Sequence, residues 1–170
     1  MPVPSRKMLL ASATAGVILA FGLTGCAFVT QVTDAAQGKK DVFSIQVGDC
    51  MNDDDSEAAE VTAVRDASCD DLHDNEVYLT WELDGADFPA DMAYPGAEAM
   101  STEADSGCIT YFETWVDAPY DETSLNYFPF YPSEQSWDQG DREVVCLAFD
   151  MNGPVTGSLE GKGAEYPYLG

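Results

Sequence analysis

The stretch Glu76-Val77-Tyr78-Leu79-Thr80-Trp81-Glu82-Leu83 decides the fold class. Val77, Leu79, Trp81 and Leu83 alternate with Tyr78, Thr80 and Glu82, giving a period of two and one strongly apolar face. Successive side chains of a strand point to opposite faces, so this pattern predicts a strand. Gly85 and Pro89 mark the loop after it. From residue 95 to 116 the period changes. Ala97, Met100, Ala104, Cys108, Tyr111 or Phe112, and Trp115 recur at spacings of three and four, which is a helical stripe. Pro95 lies near its start and residues 117–119 close it. Gly107 costs that helix about 1 kcal/mol relative to alanine, so packing must hold it there.

Outward in both directions the remaining elements are strands. Residues 143–149 are apolar on both faces, with Val144, Cys146 and Ala148 on one and Val145, Leu147 and Phe149 on the other. A strand buried on both sides sits centrally in a sheet. Asn152-Gly153 signals a turn, with residues 155–159 as the returning partner. Upstream, residues 42–47 read as a first strand and 61–64 as a second, with an acidic loop between them. The fold class is therefore α+β: a mostly antiparallel sheet with one main helix packed on it. Residues 161–170 read as a flexible tail, despite Tyr166 and Tyr168.

The N-terminus is organised differently. Arg6 and Lys7 precede an apolar, small-residue stretch from 8 to 21, and Leu23-Thr24-Gly25-Cys26 follows. This order is that of an export signal. Leu-Thr-Gly-Cys resembles the lipobox of bacterial lipoproteins, which implies cleavage before Cys26 and diacylglycerol on its sulfur. The apolar run is shorter than the roughly 20 residues of a membrane-spanning helix. Two acyl chains anchor stably where one binds only reversibly. The expected organisation is a signal peptide over 1–25, a lipidated tether over 26–40, a folded domain over 41–160 and the tail. Four cysteines remain: Cys50, Cys69, Cys108 and Cys146. An even number in an exported domain reads as two disulfides with three possible pairings. The pairing without nesting and with the shortest loops is Cys50–Cys69 and Cys108–Cys146. Zinc is the rival reading, but no Cys-x-x-Cys is present and His73 is the only histidine. No metal and no cofactor is expected.

Charge narrows the partners. All 31 acids follow Cys26, and only Lys39, Lys40, Arg65, Arg142 and Lys162 oppose them, an excess of 26 negative charges. Nucleic acid is excluded, since phosphate binding needs a basic surface. Asn52-Asp53-Asp54-Asp55 with Glu57 suggests a weak calcium loop, yet it lacks the spacing and glycine of an EF-hand and reads better as solvated surface. A serine hydrolase would need an activated serine, and no Gly-x-Ser-x-Gly elbow exists to pair with His73. His73 is read instead as capping the following strand and hydrogen-bonding near Cys69. Paired carboxylates acting on a cell-wall glycan remain a rival enzyme reading. Tyr131-Pro132-Ser133-Glu134-Gln135-Ser136-Trp137 precedes Gly140-Asp141-Arg142. Ser133 is placed to cap a short helical turn that Gly140 ends. Arg142 is expected to pair with a carboxylate such as Asp141. Alternatively Tyr131, Trp137 and Arg142 offer an aromatic and arginine surface to a protein partner, with His73 as a further binding candidate.

Several of these stretches together resemble the septum formation-related domain of bacterial exported and membrane proteins. The resemblance runs from Val47-Gly48-Asp49-Cys50 through Cys69 and His73-Asp74-Asn75-Glu76-Val77-Tyr78. It continues through Tyr94-Pro95-Gly96, Cys108 with Tyr111-Phe112, and Tyr120. It ends in Tyr131-Pro132-Ser133, Ser136-Trp137, Gly140-Asp141-Arg142, Cys146 and Thr156-Gly157-Ser158-Leu159. Leu72 stands where that family often has proline. The resemblance implies a place and a fold rather than a reaction. The expected function is that of a non-enzymatic protein, lipid-anchored at the membrane through Cys26 on its extracytoplasmic face. It would bind an envelope or cell-division partner.

Overall fold

The computed structural model describes residues 38–53 and 61–169. The expected leader, Cys26 and nearly all of the expected tether lie outside those residues, as do Asp54, Asp55 and Glu57 of the calcium reading. In chain order the elements are β1 (Lys39–Asp41), β2 (Cys50–Asn52), β3 (Ala63–Ala67), β4 (Asn75–Glu82), α1 (Ala97–Val116), β5 (Leu125–Phe130), α2 (Glu134–Asp138) and β6 (Glu143–Asp150). The strands form one sheet in the order β1-β3-β2-β4-β6-β5, every pair antiparallel. The α+β expectation holds, and β6 is internal, with Val144 to Ala148 all buried.

Helix α1 covers one face. Met100, Ala104, Cys108, Phe112 and Val116 are its buried stripe, while Tyr111 is exposed. Phe112 is therefore the inward member of the Tyr111–Phe112 pair. Both disulfides take the expected pairing, Cys50–Cys69 and Cys108–Cys146. The second ties α1 to the central strand, and both of its cysteines are fully buried. In the chain-entropy picture each contributes about 3 to 4 kcal/mol. The glycine in α1 has a packing reason: a Cβ on Gly107 would lie 2.4 Å from Trp81 Cη2 and Cζ2. The Trp81 indole thus lies directly on the helix backbone.

Strand β4 departs from a single alternating face. Val77 pairs with Leu147 but Leu79 pairs with Cys146, so Tyr78 is an extra residue, a β-bulge. Val77 consequently joins the cluster of Ile45, Met51, Val64, Val145 and Leu147 on the face away from α1. Tyr78, Leu79 and Trp81 pack toward α1. The Tyr78 hydroxyl donates to the Cys108 carbonyl at 2.9 Å, inside the helix–sheet interface. Burial, with Tyr127 and Asp105 nearby, pushes its pKa well above the ordinary tyrosine value.

Three segments differ from the sequence reading. Residues 42–47 are not a strand: β1 precedes them, and Val42–Ser44 is a 3₁₀ turn capped by Asp41, which accepts from the Phe43 amide at 2.9 Å. Ile45 then turns inward to cover the second sheet face. Residues 155–159 form no strand; Val155 instead bridges His73, and Leu159 enters the core. The expected loose tail is tied down: Pro167 bridges Thr123, Ser124 donates to the Tyr166 carbonyl at 2.7 Å, and Gly163 is buried.

Strand β5 was not read from the sequence at all. It is an edge strand, and its free edge offers no unsatisfied amide. Met151 donates to the Ser124 carbonyl at 3.1 Å. Alternation along an antiparallel ladder then turns Asn126, Phe128 and Phe130 toward β6 and leaves Leu125, Tyr127 and Pro129 facing outward. The Leu125 amide donates to Thr123 Oγ1 at 3.1 Å and the Tyr127 amide to Asn126 Oδ1 at 2.7 Å, and Pro129 has no amide to offer.

Candidate functional site

Part of the sheet face away from α1 lines a groove of about 690 Å³ that reaches round to Tyr94 and to Ala97 at the start of α1. The 3₁₀ turn supplies Val42 and Phe43, the segment leading into β3 supplies Val61, the end of β5 supplies Phe130, and Tyr131 follows it. Val145 of β6 also lines it. Phe43 is 61% exposed, an aromatic ring standing at the mouth of an apolar groove. The polar side is acidic: Glu134 of α2, Asp141 and Glu143 line it, and among the described residues no lysine or arginine does. Glu143 also faces Glu82 directly across the β4–β6 pair. Desolvation, with repulsion from Glu82 and Asp141, raises the Glu143 pKa above the usual carboxylate value.

The segment from Tyr131 to Arg142 forms one wall. Ser133 caps α2 as the sequence predicts, accepting from the Ser136 amide at 3.1 Å, and Ser136 Oγ accepts in return from the Ser133 amide at 3.0 Å. Gly140 leaves the helix with a φ of 95°. Asp141 is held by Ser136 Oγ at 2.7 Å and by the Glu143 amide at 3.0 Å. Trp137 is only 3% exposed, so it is an internal anchor and not part of an exposed aromatic surface. Its Nε1 donates to the Met92 carbonyl at 2.8 Å, with Phe88 and Tyr94 edge-on to the ring.

Arg142 differs from its expected carboxylate pairing. Its guanidinium carbon lies 3.4 Å from the centre of the Trp137 ring. Nη1 donates to the carbonyls of Trp137 at 3.0 Å and Asp141 at 2.6 Å, and Nη2 to that of Ala90 at 3.4 Å. A weakly hydrated planar cation can stack on an indole and bond carbonyls together. Arg142 and Trp137 thus fasten the 88–94 loop to α2. Only Tyr131 of this trio lines the groove.

His73 is fully buried and far more embedded than a strand cap. Its amide donates to the Val155 carbonyl at 3.0 Å and its carbonyl accepts from Val155 at 2.9 Å. Nδ1 lies 3.0 Å from the Asp71 carbonyl, and Nε2 has no partner among the described residues. Neighbouring Glu76 is also buried, accepting from Ser158 Oγ and the Leu159 amide at 2.7 Å each. Among the described residues, Cys50 (bonded to Cys69), His73 and Glu76 bring three donor atoms close enough to share a metal ion. Asp53, from the calcium reading, is engaged with Asn75 Nδ2 at 2.8 Å.

The sequence reading missed Phe43, Phe130 and Glu143 as groove residues. The one available signal was the parity of β6, which places Glu143 beside Val145 and Leu147 on the face away from α1. Among the described residues no helix is long and apolar enough to cross a membrane.

No curated protein and no solved structure gives a significant match to this chain. A protein-family model described as septum formation does match, over residues 31–163. That span contains all six strands, both helices and both disulfides, and the family supports a division-related extracytoplasmic role. The chain therefore belongs to the septum formation family.

Proposed function

We propose that this protein is a non-enzymatic extracytoplasmic docking module, lipid-anchored through Cys26. Its groove would hold a cationic, partly apolar segment of an envelope or cell-division protein. The observation that carries this reading is the pairing of an apolar groove and exposed Phe43 with an acidic rim bearing Glu134, Asp141 and Glu143. Opposite charge on a partner steers encounter and relieves the crowding of these carboxylates, while the apolar groove supplies burial. A photo-crosslinking residue at position 43 in growing cells should capture an envelope protein, and one at exposed Tyr111, on the helical face, should not. No adduct at 43, or the same adducts at both positions, overturns the docking site. Cys26→Ser should release the protein from the membrane.

A carboxylate-pair hydrolase is the second reading, favoured by the raised pKa of Glu143 beside Asp141 in the same groove. Release of soluble fragments from purified peptidoglycan by the wild type, lost in Glu143→Gln, would establish it in place of docking. Asp141 argues the other way, since both of its oxygens already serve the local fold.

A further inference from the structure

We propose that Cys50, His73 and Glu76 form a binding site for a zinc-like divalent metal, gated by the Cys50–Cys69 disulfide and open when that bond is reduced. A ring nitrogen of His73, the Cys50 sulfur and a Glu76 carboxylate oxygen lie within 4.8 Å of one another, and all three residues are at most 4% exposed. The Asp71 carbonyl can only accept, so the contact at 3.0 Å puts the proton on Nδ1 and a bare lone pair on Nε2. That nitrogen is buried without a partner, an arrangement that is unfavourable if nothing fills it. Metal-ligating histidines are held in this way, with the other ring nitrogen donating to a backbone carbonyl. Glu76 is oriented in the same fashion by Ser158 and the Leu159 amide, and each carboxylate oxygen keeps a second lone pair. Sulfur, imidazole and carboxylate together form a donor set suited to zinc.

The disulfide sets the condition. While Cys50 is bonded to Cys69 it offers no thiolate, which is the form that binds metal. An external dithiol opens the site: its thiolate attacks the sulfur of half-buried Cys69, and Cys50 leaves as a thiolate. The second thiol of the dithiol then breaks the mixed disulfide. The dithiol is oxidised by two electrons, and Cys50 and Cys69 are reduced by the same two and take up two protons. Metal then replaces the proton on Cys50. Bond lengths of about 2.0 to 2.3 Å draw the ligands closer than they now stand, a contraction open to Cys50 once Cys69 no longer holds it. Cys69 or a water completes the shell. The Cys108–Cys146 bond, fully buried between α1 and β6, is the internal control that stays oxidised.

The test uses purified full-length protein in detergent and cobalt(II) as a spectroscopic probe. Cys69→Ser frees Cys50 without any reductant. It should bind one cobalt per chain with a thiolate-to-cobalt charge-transfer band, and zinc should displace it. Oxidised wild type should show no such band and should gain it after mild dithiol reduction, with Cys108–Cys146 shown intact by mass spectrometry. Adding His73→Gln to Cys69→Ser should weaken binding by about 100-fold or more. A folded Cys69→Ser protein without the band overturns the proposal, as does binding that survives His73→Gln unchanged. If Cys69→Ser does not fold, the reduced wild type decides by the same criterion.

Discussion

Gly107→Ala is the substitution for which sequence and structure give opposite signs. Inside an exposed helix the change would stabilise by about 1 kcal/mol, since alanine is the best helix former and glycine among the worst. Here the new Cβ meets Trp81 Cη2 and Cζ2 at 2.4 Å. The neighbour is a rigid indole, packed in the helix–sheet core and carried by the strand next to β6. Overpacking of this kind costs about 1 to 3 kcal/mol. Subtracting the propensity gain leaves a net loss of about 0 to 2 kcal/mol, centred on about 1. Guanidinium unfolding, followed by far-ultraviolet circular dichroism with disulfides intact, should show a lower midpoint and an unchanged slope. Removing the two clashing atoms should reverse the sign. In a Trp81→Leu background, Gly107→Ala should stabilise by up to about 1 kcal/mol, and the cycle should yield a coupling of about 2 kcal/mol. A higher midpoint for Gly107→Ala in the wild-type background would refute the close approach of Trp81 to the helix.

Glu143→Gln should stabilise the protein at neutral pH. The folded pKa lies above the unfolded one, so its penalty is absent at low pH and grows as pH rises from the ordinary carboxylate value of 4.5 through the raised folded value. The melting-temperature gain of the variant should therefore vanish below about pH 4. Ser133→Ala removes the cap of α2 and should cost about 1 kcal/mol in a denaturant titration. Replacing Cys108 and Cys146 together by serine should cost about 4 kcal/mol in the same titration, more than the loss of the shorter Cys50–Cys69 loop.

What the sequence made legible was whatever rests on side-chain periodicity. The α1 stripe, the two-faced β6 and the Ser133 cap each follow from spacing, and the disulfides follow from loop length. The bulge at Tyr78 was invisible because one inserted residue leaves an alternating pattern that still reads cleanly while reversing the side on which Val77 lies. Strand β1 is Lys39-Lys40-Asp41, without an apolar face; pairing with β3 holds it, and Lys40 forms an ion pair with Asp49. Strand β5 was obscured by Pro129, which an edge position tolerates. Val155 and Leu159 looked like a strand because they are apolar, but both enter the core from a loop, with Val155 bridged to His73 alone. Of the candidate site, Tyr131 was legible and Phe43 was not, since the groove depends on where the 3₁₀ turn sets its side chains. Trp137 and Arg142 drew attention as interface residue types, yet an indole and a guanidinium stacked together serve equally well as an internal fastening.

The self-occupied border of β5 has a consequence for life at high surface density. Molecules tethered side by side meet far more often than molecules in bulk, and a bare strand border is an invitation to zip into ribbons. With the Leu125 and Tyr127 amides satisfied from within the chain and a proline in the next outward position, the β5 border has no amide to donate to a neighbouring copy. Under the lipid anchoring proposed above, such copies would crowd along a membrane without zipping through their β5 amides, each with its groove free for the proposed partner.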